Sequence, residues 1–376
     1  MGGWNGAVME KKEKIRYDSL DGIRGIAAVI IAYFAHYNNS FGGNRPLARF
    51  LDSTFIDSLH GNGAQVWVEM FFCLSGFVIF QAYFDRIADE TQPMMFKDYL
   101  YKRVIRIFPL FWLTTLVAWG LQWFNLFTTG ENFLMGENDL HHLFLSIFGL
   151  HNISGVVTAP SFNSPAWFLS SVMVCYVIFY VLARVLKKNF IYGCVGMVIF
   201  GTIVVHSYLL ADIPFIGLSM GRGYLAFFWG VLLAMFVRHH EGKSRIIPLV
   251  IGGVLLFLWL WCFYFREGLL GDFYTTATFY ACTGIVFIAI YSNIIRKILC
   301  LKLFQVLGKI SFSIYLWNFP TDIVFGMIQR YFDCFDYASV RFWGMHLIVS
   351  LALAVLSNYV IEPAFTKQVK KLLKNL

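Results

Sequence analysis

Charge is scarce in this chain. Asp, Glu, Lys and Arg together make up 14% of its 376 residues, against about 25% in soluble domains, which excludes a water-soluble globular protein. Short segments alternating apolar and polar residues are missing too, so a transmembrane β-barrel is excluded. The seven cysteines show neither metal-ligand spacing nor a disulfide framework. Cys73, Cys175, Cys194, Cys262 and Cys282 fall in apolar segments, where a thiol acts as a small hydrophobe. No metal site is expected. Internal repeats and low-complexity tracts are absent, and with them the related halves common in transporters. The opening residues MGGWNGAVMEKKEK lack the apolar core of a cleavable signal, and Gly6 stands where N-myristoylation wants Ser or Thr.

What the chain has is apolar surface: 58% hydrophobic and 19% aromatic residues, with a mean hydropathy of +0.64. The apolar segments are about 20 residues long, the length that crosses a hydrocarbon core of about 30 Å. They fall at 22–38, 64–84, 108–128, 165–186, 190–210, 218–238, 246–266, 272–292, 304–328 and 342–362. The expected fold is therefore an all-α polytopic membrane helix bundle of about ten spans, both termini cytoplasmic. That topology puts 24 of the 30 basic residues inside, leaving only Arg45, Arg49, Arg222, Arg266, Arg330 and Arg341 outside, the bias known as positive-inside. The net charge of +8 then meets anionic lipid and calls for no nucleic acid. Residues 1–16 read as a cytoplasmic tail, 17–366 as one membrane domain and 367–376 as a basic tail. The stretch 140–151 is too short to span and reads as interfacial or re-entrant. Its His141 and His142, with His151, read as solvated at the interface. Residues 94–107 read as an interfacial basic helix, with Pro109 opening the next span, where its missing N–H costs least. Nothing in the sequence fixes an oligomeric state.

Against this background the ionisable residues inside spans ask for a reason, because each costs about 2.5–3.5 kcal/mol at the centre of a membrane helix on insertion scales. In YDSLDGIRGIAAVIIAYFAH (17–36), Asp21 and Arg24 stand at one end of the first span and His36 near the other. Arg24 could snorkel to lipid phosphate, and Asp21 could cap the helix or pair with Arg24. Glu69, inside the second span, must face the bundle interior, paired with an arginine or with His36.

The order of these residues resembles the opening motif of the membrane-bound acyltransferase-3 family, LDGLRGIAA followed by an apolar run and His. Six further segments follow in the family's order. They are WVEMFFCLSGFVIF (67–80), YLYKRVIRIFPLFW (99–112), SPAWFLSSVMVCYV (164–177), GRGYLAFFWGVLLA (221–234), LGKISFSIYLWNFP (307–320) and NYVIEPAF (358–365). The resemblance implies O-acylation of a glycan or similar hydroxyl-bearing acceptor, with acetyl-CoA the usual donor, in the inner membrane of a bacterium. The residues fit that chemistry. Arg24, Arg103 and Arg106 lie at the inner face, where guanidinium groups match the donor's phosphates. His36 suits the general base, with Glu69 as a second catalytic candidate. Twelve residues separate Arg24 from His36, about 18 Å of helix, comparable to a pantetheine arm. Asp21, Trp167, Arg222 and Tyr315 are candidates for substrate binding, with Ser75, Trp167 and Tyr315 near the developing oxyanion.

The chain departs from the family pattern in four places. Eleven residues lie between arginine and histidine where ten are usual, so on a straight helix the pair lands about 120° apart instead of about 20°. A π-turn would absorb the extra residue; a straight helix would turn the histidine away. WFLSSV replaces WSLSVE, Asn318 stands where many members have histidine, and Pro363-Ala364 replaces Arg-Pro. These changes read as a distinct acceptor. The rival reading is a glycan or lipid transporter or flippase, with His36 and Glu69 relaying protons.

Overall fold

A computed structural model describes residues 17–43, 46–49, 65–131, 138–153, 162–207, 213–264 and 274–374; the expected tail 1–16 lies outside them. Among the described residues every regular element is helical, apart from one isolated bridge between Ile213 and Ile216. The helices are α1 (Asp18–Ser40), α2 (Gln65–Ala88), α3 (Phe96–Thr129), α4 (Leu140–Ile147), α5 (Trp167–Leu186), α6 (Phe190–His206), α7 (Leu218–His239), α8 (Ile246–Tyr264), α9 (Tyr274–Tyr291), α10 (Asn293–Leu299), α11 (Lys302–Phe332), α12 (Val340–Leu356) and α13 (Glu362–Lys374).

Each of the ten expected segments holds a helix, but fewer are both long and apolar enough to cross a bilayer. Among the described residues six stretches qualify, or seven if α9 and α10, bent by 91° at their junction, form one span. One of the six, Ser164–His206, contains both α5 and α6. The apolar part of α8, Ile246–Trp261, is shorter, and α11 has the length but is diluted by Asn318, Thr321 and Asp322. The outside of the bundle is apolar, with Phe127, Val185 and Ile348 all outward-facing, as lipid contact requires.

Two local expectations need correction. Residues 96–129 form one continuous helix with Pro109 inside and buried, rather than an interfacial helix followed by a span. A proline within a membrane helix is tolerated where neighbouring helices and local adjustments satisfy the freed backbone carbonyl. The 140–151 stretch does contain a short helix, α4, capped by Asp139, whose carboxylate accepts from the His142 backbone at 2.8 Å. That N–H and the His142 ring hold the Asp139 carboxyl below its usual range. His151, however, is buried (3% exposed), stacked on Phe111 and bonded to the Ser170 hydroxyl and the Ala166 carbonyl. It is a packed core histidine, not an interfacial one.

Helix α11 runs through the middle, against α1, α3 and α12. Its contact with α1 is backbone on backbone: a Cβ at Gly25 would lie 2.6 Å from the Gly308 nitrogen, and one at Gly308 would strike the Asp21 carbonyl. Small residues allow this approach in the absence of a hydrophobic drive between membrane helices. The same device, at Gly76 and Gly230, brings α2 against α7. Gly25→Val should therefore force α1 off α11, costing about 1–3 kcal/mol by overpacking. The check is the thermal midpoint of the purified variant; an unchanged midpoint would mean that the close approach contributes nothing.

Candidate active site

Helix α1 reaches the site in three parts. Asp18–Ile30 is α-helical, Ile31–His36 is a π-turn and Tyr37–Ser40 resumes the α form. The extra residue between Arg24 and His36 is taken up there, and π-turns of this kind favour functional positions. A second π-turn, Ser357–Ile361, joins α12 to α13, with Ser357 accepting from the Trp317 indole at 2.7 Å.

The three arginines expected to act together are brought together. A cavity of about 220 Å³ is lined at one end by Arg24, Arg103 and Arg106, and deeper in by Ser75, Ser311 and Tyr315. A second hollow of about 450 Å³ shares Arg24, Arg106 and Gly308 with the first and adds Lys302, Lys309 and Asn358. Arg24 is held by Asp21 at 2.8 Å. Arg103 donates to the Tyr83 hydroxyl at 2.5 Å and lies over that ring. Its Nε is buried with no hydrogen-bond partner among the described residues, a donor aimed at something else. Phosphate oxygens are the acceptors such a cluster suits.

Tyr315 closes the deep end. Its hydroxyl donates to the Pro165 carbonyl, in the short turn Ser164–Ala166 that precedes α5. That turn is itself tied down: Asn163 donates to the Leu316 carbonyl at 3.1 Å, and Ala166 accepts from His151. On the other side of Tyr315, with ring centroids 5.9 Å apart, stands His36. The imidazole is half-buried, and its Nδ1 faces Asn318 Oδ1 at 3.1 Å. Asn318 continues to Asp322, which also binds His346 at 2.7 Å.

Glu69 pairs with Arg222 and not with His36. It is 1% exposed and accepts from Arg222 at 2.5 Å, and the Arg222 guanidinium lies 4.9 Å from the Trp167 ring centroid. These three candidates thus form their own group at the N-terminal ends of α2, α7 and α5, outside the arginine-lined cavity. Sequence reading did not single out Asp322 or His346. Both are ionisable residues in apolar helices, and the argument that drew attention to His36 applies to them equally.

The acyltransferase-3 family profile, described as an acyltransferase domain, matches residues 17–360. The chain belongs to that family. It is thus a membrane acyltransferase in general terms, as the apolar helices and the family together indicate. No curated protein and no solved structure matches the chain. Within the family frame, the arginine of the opening motif lines the cavity and the histidine lies beyond its closed end.

Proposed function

We propose that this acyltransferase moves an acetyl group from acetyl-CoA to a hydroxyl of a surface or exported polysaccharide, in a bacterial inner membrane. The observation that carries the donor assignment is the pair of adjoining cavities. One is wide and basic, bounded by Arg24, Arg106, Lys302 and Lys309, and suits a nucleotide bearing phosphates. The other is narrower and runs from the same arginines to Tyr315, and suits a pantetheine arm carrying its thioester inward. Cytoplasmic donor would enter at the basic end, consistent with the positive-inside bias. The acceptor would approach His36 from the opposite side.

In the reaction the acceptor oxygen attacks the thioester carbon as His36 Nε2 takes the hydroxyl proton. The C–O bond forms, the C–S bond breaks, and the imidazolium returns its proton to the CoA thiolate. A histidine is suited to both transfers near neutral pH. Transport by a His36–Glu69 relay finds no geometric support, since Glu69 pairs with Arg222 rather than His36.

Acetyl-CoA at 100 times its Kd should stabilise the purified protein by about 2.7 kcal/mol, and labelled acetyl-CoA should be hydrolysed slowly without acceptor. Arg24→Ala should weaken donor binding by about tenfold or more, as expected for loss of one charge-assisted phosphate contact of about 1.5–3 kcal/mol. Absence of both stabilisation and turnover in folded wild type would reject acetyl-CoA as donor.

A further inference from the structure

We propose that Asn318 is a positioning residue that fixes His36 as the Nδ1–H tautomer, with Asp322 deciding which way the Asn318 amide points. The proposal rests on His36 being the base of the transfer. Four residues from three helices form the chain of contacts: His36 on α1, Asn318 and Asp322 on α11, and His346 on α12. Asn318 and His346 are fully buried and Asp322 nearly so.

The argument starts at the carboxylate. Asp322 Oδ1 lies 2.7 Å from His346 Nε2 and 3.4 Å from Asn318 Nδ2, and Oδ2 accepts from the Ser40 hydroxyl at 2.6 Å. With Oδ2 already accepting from Ser40 and Oδ1 facing the His346 ring, the carboxylate offers lone pairs, so the edge of Asn318 facing it is the NH₂. A flipped amide would set two oxygens against each other among buried side chains, and a buried polar group left unpaired is costly. The amide is planar and rigid. With its NH₂ committed to Asp322, its carbonyl is committed to His36 Nδ1, 3.1 Å away. A carbonyl has no proton to give, so Nδ1 carries the hydrogen and the lone pair sits on Nε2. That nitrogen makes no hydrogen bond to any described residue, and the ring is only half-buried. It is the nitrogen free to accept a proton from an incoming hydroxyl.

The sequence departure at this position gains a reason from the same geometry. Many family members carry histidine where this chain has Asn318. A neutral imidazole, like an amide, has a donating side and an accepting side, so either residue can accept from His36 while donating to Asp322.

The test uses purified full-length protein in detergent, following acetyl-CoA turnover in Asn318→Leu, Asn318→His, Asn318→Asp and His36→Ala. Asn318→Leu should lower kcat about 100-fold or more, the scale of a lost general base, with KM for acetyl-CoA within about twofold because the donor cavity is untouched. Asn318→His should keep turnover within about tenfold of wild type, since it preserves the donor–acceptor polarity. Asn318→Asp should lose turnover, its carboxylate facing that of Asp322, and adding Asp322→Asn should restore much of it. Here an amide again donates between the two positions, and His346 Nδ1, which has no partner among the described residues, can take the proton that Nε2 gives up. If Asn318→Leu does not fold, the comparison of Asn318→His with Asn318→Asp carries the test, and equal turnover in those two overturns the proposal. Wild-type kcat in Asn318→Leu while His36→Ala is inert overturns the positioning role alone. Wild-type turnover in His36→Ala overturns the base assignment and this proposal with it. A cluster that only holds helices together would lower the thermal midpoint in all Asn318 variants without the kcat and KM separating.

Discussion

Replacing His36 by alanine should reduce acetyl-CoA turnover by about 10²–10⁴-fold, the range a positioned general base supplies. The protein should still reach the membrane and still be stabilised by acetyl-CoA. Both halves of the result matter. His36 lies beyond Tyr315 and does not line the arginine-bounded cavity, so donor binding has no reason to change. Its ring contributes packing against Tyr315 and one hydrogen bond to Asn318, a modest loss for a bundle of this size. Turnover near wild type would remove His36 from the chemistry and leave the π-turn without a catalytic purpose. Loss of both turnover and donor stabilisation would instead point to a folding defect, which the elution profile would reveal.

Arg222→Met should be the most destabilising of the charge removals, at about 3–5 kcal/mol, the cost of leaving a buried charge without its partner. Glu69 is almost wholly buried and Arg222 only 16% exposed, so little solvent is at hand to compensate. Glu69 Oε2 already has no hydrogen-bond partner among the described residues, and the loss of Arg222 would leave the other oxygen in the same state. The expected signature is a large fall in thermal midpoint that Glu69→Gln, introduced together with Arg222→Met, largely reverses. Equal midpoints for the single and double variants would show that the pair is not the source. If instead Arg222→Met were stable and lost only acceptor transfer, Arg222 would be a substrate contact, one of the roles open to it from the sequence.

How far the sequence could be read depended on the range of the interaction. The helices themselves were legible because they follow from hydropathy, whereas the spacing of Arg24 and His36 left open a π-turn or a straight helix, and the π-turn at Ile31–His36 is what forms. The grouping of Arg24, Arg103 and Arg106 was legible because charge bias and motif order place all three at one face. Glu69 was correctly sent to the interior, but its partner was left open between an arginine and His36, because the pair with Arg222 closes over 153 positions. The His36–Asn318 contact closes over 282, and no local pattern encodes such a pairing. Pro109 misled for a different reason. Its effect depends on whether neighbours can cover the exposed carbonyl, which is a property of the bundle and not of the segment. Length and hydropathy alone leave fewer than ten clear spans among the described residues, because α8 is short, α9 and α10 are bent apart and α11 carries polar residues.

The stopper formed by Tyr315 has an electrical meaning. The arginine-lined cavity reaches it from one side, and the His36 imidazole stands beside it. A phenol bonded to a backbone carbonyl, with Phe71 and Phe168 beside it, is all that parts them. An ion passing that point would shed its hydration with no ring of carbonyls to replace it. The arginine-lined cavity can therefore lie open to charged solutes without offering them a path past Tyr315.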